Sequence, residues 1–146
     1  MEYVVKSFAA LTTKEFYQLS KERVAVFVVE QNCPYQEIDE IDEVALHTYF
    51  IAEDEQIAAY TRIYEDGDTI HFGRVLVTEK FRGTGLGKQI VAKTIAVIEE
   101  RFPGKKIVIG AQAYLQDFYA SFGFKPISDV YLEDDIPHID MQLDAF

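Results

Sequence analysis

Cysteine, basic side chains and long apolar runs are all scarce in this chain of 146 residues. Cys33 is the only cysteine, which excludes an intrachain disulfide and a cysteine-based zinc site, and we expect no bound metal. No apolar run approaches the roughly 18 residues that cross a bilayer, and the first residues do not have the pattern of a signal peptide. We therefore expect a cytoplasmic protein.

Internal repeats, low-complexity tracts and linkers rich in Pro, Gly or Ser are absent from the sequence as well. Hydrophobic residues make up 49% of the chain and charged residues 27%, a balance that is typical of folded globular proteins. The length is that of one domain, so we predict a single domain over residues 1–146.

The charge of the chain is unevenly distributed. The net charge is −11, which argues against nucleic acid or an anionic membrane as a partner. Residues 74–106 carry a net charge of +5, whereas residues 30–43 and 126–146 each hold six acidic residues and no basic one. This distribution predicts a site with one cationic and one anionic wall, and hence a cationic substrate. Solvated surface charges that keep the protein soluble would explain it equally well.

Apolar periodicity and turn residues predict a mixed α/β fold. A capping box at Thr12 and Glu15 begins the first helix, whose end is not fixed by the β-branched run at 24–29. Residues 30–43 form a loop that has room for one helical turn. Strands are predicted at 3–5, 46–52, 57–64, 70–77, 107–111, 124–127 and 136–143, and further helices at 85–101 and 115–122.

The turn at residues 82–88 carries the main chemical signal. A strand leads into this glycine-rich turn, and a long helix begins there, so that unpaired helix amides and the side chains of Arg82 and Lys88 meet in one place. Such a helix start predicts a phosphate site, although a helix start that only packs tightly has the same pattern. The spacing fits neither a dinucleotide fingerprint nor a P-loop. The glycines are Gly83, Gly85 and Gly87.

A second motif follows about one helix and one strand later. Together, the two motifs resemble the GNAT superfamily of acetyl-CoA-dependent N-acetyltransferases, and segments 27–35, 110–113 and 136–139 resemble its ElaA-like subfamily. The residues that carry the superfamily resemblance are Arg82, Gly85 and Gly87 in the first motif and Phe118, Tyr119, Gly123 and Phe124 in the second.

The resemblance implies a GNAT-like mixed sheet: an antiparallel meander, then a strand–helix–strand cofactor unit, with the sheet splayed between strands 70–77 and 107–111 to receive acetyl-CoA. The pantetheine arm would pair with the backbone of the first strand, and a backbone N–H near its end would polarise the thioester carbonyl. The residues implied for cofactor binding are Val75, Leu76, Val77, Arg82, Gly83, Thr84, Gly85, Leu86, Gly87, Lys88 and Gln112.

The resemblance also implies catalytic roles. Tyr119 would donate a proton or a hydrogen bond to the departing thiolate of the cofactor, and a base would take the proton of an amine acceptor. Glu30 and His138 are our candidates for this base, ahead of His71. The acceptor would be a small molecule or a peptide that carries an amine, and the oligomeric state stays open between a monomer and a homodimer.

Two other functions fit parts of the pattern. A non-catalytic module that senses acetyl-CoA and binds a protein partner would keep the cofactor motif, but it would not need Tyr119. A hydrolase built on Cys33 and a histidine is the third hypothesis, which the acidic surroundings of Cys33 disfavour. Arg62 and Arg74 either bind an acceptor carboxylate or pair with acids of the 30–43 loop, and we favour internal pairing.

Overall fold

The computed structural model describes residues 1–144. The protein is built around one mixed sheet of eight strands. The strand order is β1-β2-β3-β4-β5-β8-β6, and β7 also pairs with β8. All pairs are antiparallel except β4 and β5. The strands are β1 (Glu2–Ser7), β2 (Leu46–Ile51), β3 (Ile57–Asp66), β4 (Thr69–Val77), β5 (Lys106–Gln112), β6 (Lys125–Pro126), β7 (Tyr131–Glu133) and β8 (Ile136–Leu143).

Helices cover both faces of the sheet. Helix α3 buries an apolar stripe against one face, and Leu19 of α1 packs with Tyr49 and Tyr60 on the other, so the sheet lies between two apolar layers. The stripe of α3 consists of Ile90, Val91, Ile95 and Ile98. The helices are α1 (Thr13–Val24), α2 (Ile41–Val44), α3 (Leu86–Arg101) and α4 (Gln116–Ala120). In the described part of the chain, no helix is long and apolar enough to cross a membrane.

The first helix begins as predicted and ends in an unusual way. The Thr12 hydroxyl accepts a hydrogen bond from the Glu15 amide (3.0 Å), and the Glu15 carboxylate accepts one from the Thr12 amide (2.8 Å), which completes the capping box. After Val24 the chain continues as a π-helix over Ala25–Glu30. Such segments are rare and frequently lie at functional sites.

The splay of the sheet between β4 and β5 is confirmed. These strands pair only where Thr69–His71 faces Lys106–Val108, and they separate beyond that point. A bulge in β4 contributes to the separation, because Arg74 and its neighbour oppose a single residue of β3. Arg74 adopts a left-handed backbone conformation there, with φ of 51°. A gap therefore opens between the ends of the two strands.

The late part of the chain departs from the predicted elements. Strand β7 was not predicted, and it forms a hairpin with β8 through a turn in which Asp134 and Asp135 both have positive φ. The strand predicted at 124–127 is wrong in extent, since only Lys125–Pro126 is in register with β8, and Ile127 adds one backbone hydrogen bond to the Asp140 carbonyl.

Smaller differences concern element ends. The helix predicted at 115–122 is α4, which is preceded by a 3₁₀ turn and ends at Ala120. The helix predicted from residue 85 begins one residue later, with Gly85 as its N-cap. The single helical turn expected in the loop at 30–43 is α2, at the end of that loop. The first strand is longer than predicted, because its antiparallel pairing with β2 runs from Glu2 to Ser7.

Candidate active site

The gap between β4 and β5 is part of a cavity of about 890 Å³. Its wall also includes the π-helix, the loop after it, the beginning of α3 and the β7–β8 hairpin. The predicted site residues that line it are Glu30, Val75, Leu76, Val77, Arg82, Gly87, Gln112, Tyr119 and His138. Among the described residues, five predicted cofactor residues do not line it, although they lie on the same turn: Gly83, Thr84, Gly85, Leu86 and Lys88.

The beginning of α3 has the features of an anion site. Gly85 is the N-cap with φ of 80°, and no side chain of residues 1–144 caps the helix, so its first amides have no partner within the helix. A Cβ atom added at Gly83 or Gly85 would project into open space, because in the described chain no atom beyond the adjacent residues lies within 4 Å of its position. Leu86 differs from the exposed glycines of this turn, because its side chain is buried in the core. This exposed, glycine-lined helix start fits a phosphate group.

Arg82 connects the glycine-rich turn with the end of the π-helix. Its Nε donates a hydrogen bond to the Val77 carbonyl (2.9 Å), and its two terminal nitrogens donate to the two carboxylate oxygens of Glu30 (2.6 and 2.8 Å). The hydrogen bonds from Arg82 hold the pKa of the Glu30 carboxyl below its ordinary value. The sequence predicted a role for each residue, but it did not predict their pairing.

Tyr119 of α4 is 5% exposed and lines the cavity. Its ring packs against the rings of Phe72, Phe118 and Phe124. Burial raises the pKa of its hydroxyl above the ordinary value, so this group stays protonated at neutral pH. Tyr119 is therefore a hydrogen-bond donor at the cavity wall.

His138 of β8 is 8% exposed and also lines the cavity. Its Nδ1 lies 2.7 Å from the carbonyl oxygen of Ile136, and because a carbonyl only accepts, Nδ1 carries the hydrogen. Its Nε2 lies 3.4 Å from a carboxylate oxygen of Glu133. In the neutral ring, Nε2 holds the lone pair and is the atom that can take up a proton.

Arg62 and Arg74 pair with acids of the 30–43 loop, as we favoured. Arg62 donates to Asp39 (2.7 Å) and Asp42 (3.1 Å), and Nε of Arg74 lies 2.8 Å from a Glu37 carboxylate oxygen. Three acids of the loop thus face guanidinium groups. Among the described residues, the acids of the cavity wall that have no such partner lie at the end of β7 and in the turn that follows it.

A third arginine completes this buried network. Arg23 is fully buried and donates to both carboxylate oxygens of Asp42 (2.7 and 3.2 Å) and to Glu37 (3.0 Å). Burial alone would raise the pKa of Asp42, but the hydrogen bonds and charge of Arg23 outweigh this effect and hold it below the ordinary value. The loop beside the cavity is therefore fixed to the core through α1.

Two contacts that the sequence did not predict join the loop to the β7–β8 hairpin. The Tyr35 hydroxyl donates to Asp135 (2.8 Å), and the sulfur of Cys33 lies 3.8 Å from the Asp134 carbonyl oxygen. About one hundred positions separate these partners in sequence. The only local signal was the pair of aspartates, which tolerate the left-handed conformation of a tight hairpin turn.

Comparison with known proteins identifies the family of this chain. Residues 15–145 match the family described as "Acetyltransferase (GNAT) domain". The chain belongs to the GNAT acetyltransferase family. It is 44% identical over 135 residues to protein ElaA of Escherichia coli (strain K12), in an alignment that covers 90% of this chain and 88% of that protein. The resemblance to the ElaA-like subfamily is thereby confirmed.

Solved structures agree with this assignment. The crystal structure of Escherichia coli ElaA superposes with a TM-score of 0.93 at 42% identity and covers 97% of this chain and 99% of that one. An acyl-CoA N-acyltransferase from Pseudomonas aeruginosa superposes with a TM-score of 0.92 at 40% identity, with 97% of each chain covered. This GNAT protein is therefore an acyltransferase, and its cofactor is CoA-linked.

Proposed function

We propose that this GNAT acyltransferase transfers the acetyl group of acetyl-CoA directly to the amine nitrogen of a small-molecule or peptide acceptor. One observation carries the proposal. A single cavity is bounded by the start of α3 and also contains the hydroxyl-bearing Tyr119 and the imidazole of His138. A phosphate site at the edge of a cavity and two proton-transferring groups along its wall are what transfer from a phosphate-bearing thioester to an amine requires.

The cofactor end of the cavity would be formed by β4, β5 and the glycine-rich turn. The backbone of Val75, Leu76 and Val77 faces the gap in the sheet and would pair with the pantetheine arm as an added strand does. The amides from Arg82 to Lys88 would hold the pyrophosphate, and Gln112 lies on the opposite strand. Acetyl-CoA supplies the reactive thioester when bound.

Two groups would assist departure of the thiolate. A backbone N–H of Leu76 or Val77 would donate to the carbonyl oxygen, on which negative charge develops during transfer. The Tyr119 hydroxyl would donate its hydrogen to the sulfur. Because burial keeps this hydroxyl protonated, it is available as a donor throughout the neutral pH range.

His138 is the base that the geometry supports best. Its Nδ1–H donates to the Ile136 carbonyl, which leaves Nε2 to accept the amine proton, and the Glu133 carboxylate nearby would stabilise the imidazolium. Glu30 is the second candidate. Its carboxylate already accepts two hydrogen bonds from Arg82, and the low pKa that results makes it a weaker base.

The acceptor would be cationic before it reacts, as an amine is at neutral pH. The three arginines beside the cavity are matched by Glu37, Asp39 and Asp42. Glu133 at the end of β7 and Asp134 in the turn after it also line the cavity, and they would give the acceptor end its negative potential.

The test is a thiol-release assay with acetyl-CoA and a panel of polyamines, amino acids, aminosugars and peptides. We expect at least one amine to release CoA, with a strong loss of turnover in His138→Ala and a smaller change in Glu30→Gln. The acetyl-CoA-sensing module is the competing function, because it would use the same cofactor end. Tight cofactor binding without thiol release for any acceptor would favour the sensor.

A further inference from the structure

Tyr131 of β7 contacts His138 from the neighbouring strand. The two residues are directly paired in the β7–β8 register, and their rings are stacked with centroids 6.1 Å apart and an interplanar angle of 27°. In the described part of the chain, Tyr131 does not line the cavity. As a directly paired cross-strand neighbour, it contacts the imidazole from the adjacent position on the same face of the sheet.

The hydroxyl of Tyr131 is fixed as well. It donates a hydrogen bond to a carboxylate oxygen of Asp140 (2.5 Å). Asp140 is itself anchored on both sides of its backbone, because its amide donates to the Ser128 hydroxyl (2.9 Å) and its carbonyl accepts from the Ile127 amide (2.9 Å). The ring of Tyr131 is thus held at its far end by the carboxylate of a residue whose backbone is hydrogen-bonded on both sides.

Gly110 of β5 provides the space for this contact. It pairs with Asp140 in the β5–β8 register, and a Cβ atom at this position would lie 3.3 Å from the Tyr131 hydroxyl oxygen and 3.7 Å from the Asp140 carboxylate. The first distance is shorter than most real Cβ contacts, so a side chain here would push the tyrosine. Gly110 and His138 belong to the two late segments that resemble the ElaA-like subfamily, and Tyr131 connects them.

We propose that Tyr131 is a positioning residue for His138, held against the imidazole by Asp140 and by the space at Gly110. The inference rests on the proposed function, in which His138 accepts the amine proton. The stacked ring blocks rotation of the imidazole, and the hydrogen bond from Nδ1–H to Ile136 fixes its edge. Nε2 then stays directed towards Glu133 and the cavity, in the orientation that proton transfer needs.

The experiment compares Tyr131→Phe, Tyr131→Ala and Gly110→Ala with a control, Tyr17→Phe. Tyr17 is 63% exposed on α1 and lies outside the cavity lining. The chain has three histidines, so a long-range ¹H–¹⁵N NMR spectrum resolves each imidazole, and His138→Asn assigns the signal of interest. Circular dichroism checks that each variant is folded, and Tyr131→Phe, which keeps the ring, still tests the inference if the alanine variant does not fold.

We expect the wild type and Tyr17→Phe to show His138 with the hydrogen on Nδ1. Tyr131→Ala and Gly110→Ala should show a mixture of tautomers and a turnover that is lower by up to about 100-fold. Tyr131→Phe should show an intermediate spectrum and an intermediate turnover, and the dissociation constant of CoA should not change in the two Tyr131 variants. A wild-type spectrum and turnover in Tyr131→Ala, or in Tyr131→Phe as its substitute, would overturn the inference if His138→Ala is inactive. Full turnover in His138→Ala would instead overturn the proposed base, and the positioning role with it.

Discussion

Glu30 and Arg82 form an ion pair with two parallel hydrogen bonds, of 2.6 and 2.8 Å, between the end of the π-helix and the turn before α3. Arg82 is a proposed contact of the cofactor pyrophosphate, so the Glu30 carboxylate competes with that anion for the same guanidinium. Both side chains are partly exposed, and solvent keeps the strength of such a pair modest.

Replacing Glu30 by Gln should therefore tighten CoA binding by roughly two- to fivefold, because the competing negative charge is removed. The measurement is calorimetric titration with CoA at low and high salt, with a smaller gain expected at high salt. Asp54→Asn is the matched control, since it also removes one negative charge and breaks an exposed pair, with Lys80. If both variants bound CoA more tightly by the same factor, the effect would come from net charge alone.

Gly87 tests whether the beginning of α3 is the cofactor site. A Cβ atom there would lie 3.6 Å from the Val77 side chain, an ordinary contact, and Gly→Ala in a helix gains about 0.5–1 kcal/mol of stability. Gly87 lines the cavity, however, so the added methyl group would occupy cofactor space. Without ligand, we expect Gly87→Ala to have a higher melting temperature than the wild type. On addition of CoA, its melting temperature should rise less than that of the wild type.

The control for this variant is Gln89→Ala, which changes an exposed position of α3 outside the cavity lining. Ligand at 100 times its dissociation constant should add about 2.7 kcal/mol to the wild type and to this control. If Gly87→Ala responded to CoA as the wild type does, the start of α3 would not be the pyrophosphate site.

The elements that local sequence patterns specify were the ones that could be predicted. Helix α3 repeats its apolar residues at helical spacing, and Thr12 and Glu15 begin α1 through contacts three residues apart. The bulge at Arg74 and the π-helix were not predictable, because each depends on packing against neighbouring elements. Strand β7 has three residues and an acidic turn, which is too short for a periodic signal.

The features of the candidate site also differ in how well a local sequence pattern indicates them. The glycine-rich turn and Tyr119 lie in continuous motifs, so the sequence alone could indicate them as candidates. The pairing of Glu30 with Arg82 joins residues 52 positions apart, and no local pattern indicates it. The environment of His138 depends on Tyr131, whose role becomes visible only when β7 and β8 are paired.

The pH dependence of stability should show the contribution of Glu15. Hydrogen bonds from Lys6 and from the Thr12 backbone lower the pKa of its carboxyl from 4.5 to about 2. Because the folded-state pKa lies below the unfolded value, the contribution is complete above about pH 5 and disappears as the pH falls towards 2. Glu15→Gln keeps the capping geometry and removes the charge.

Urea unfolding of the wild type and Glu15→Gln at several pH values measures this contribution. We expect a difference of about 1 kcal/mol in the free energy of unfolding at neutral pH, since solvent screens a partly exposed pair. The difference should shrink between pH 5 and pH 2. A difference that does not depend on pH would mean that the charge of Glu15 is unimportant and that the substitution acts through packing.

Asp134 should contribute to recognition of a cationic acceptor. It lines the cavity, and its left-handed backbone conformation suits Asn as well as Asp. Asp134→Asn should raise KM for the amine several-fold and leave kcat unchanged, with a smaller effect at high salt. Asp129→Asn, an exposed substitution outside the cavity lining, is the control. The same KM in both variants would remove Asp134 from acceptor binding.

Tyr119→Phe tests the proposed departure of the thiolate. The substitution removes one hydroxyl and keeps the ring, so packing against Phe118 and Phe124 should survive. If the hydroxyl donates to the sulfur, turnover should fall by about 10²–10⁴-fold, while the CoA dissociation constant stays the same because the proposed phosphate site lies at the start of α3. The control is Tyr114→Phe, since Tyr114 lines the same cavity but is 76% exposed. Wild-type turnover in Tyr119→Phe would show that the thiolate leaves without assistance from this residue.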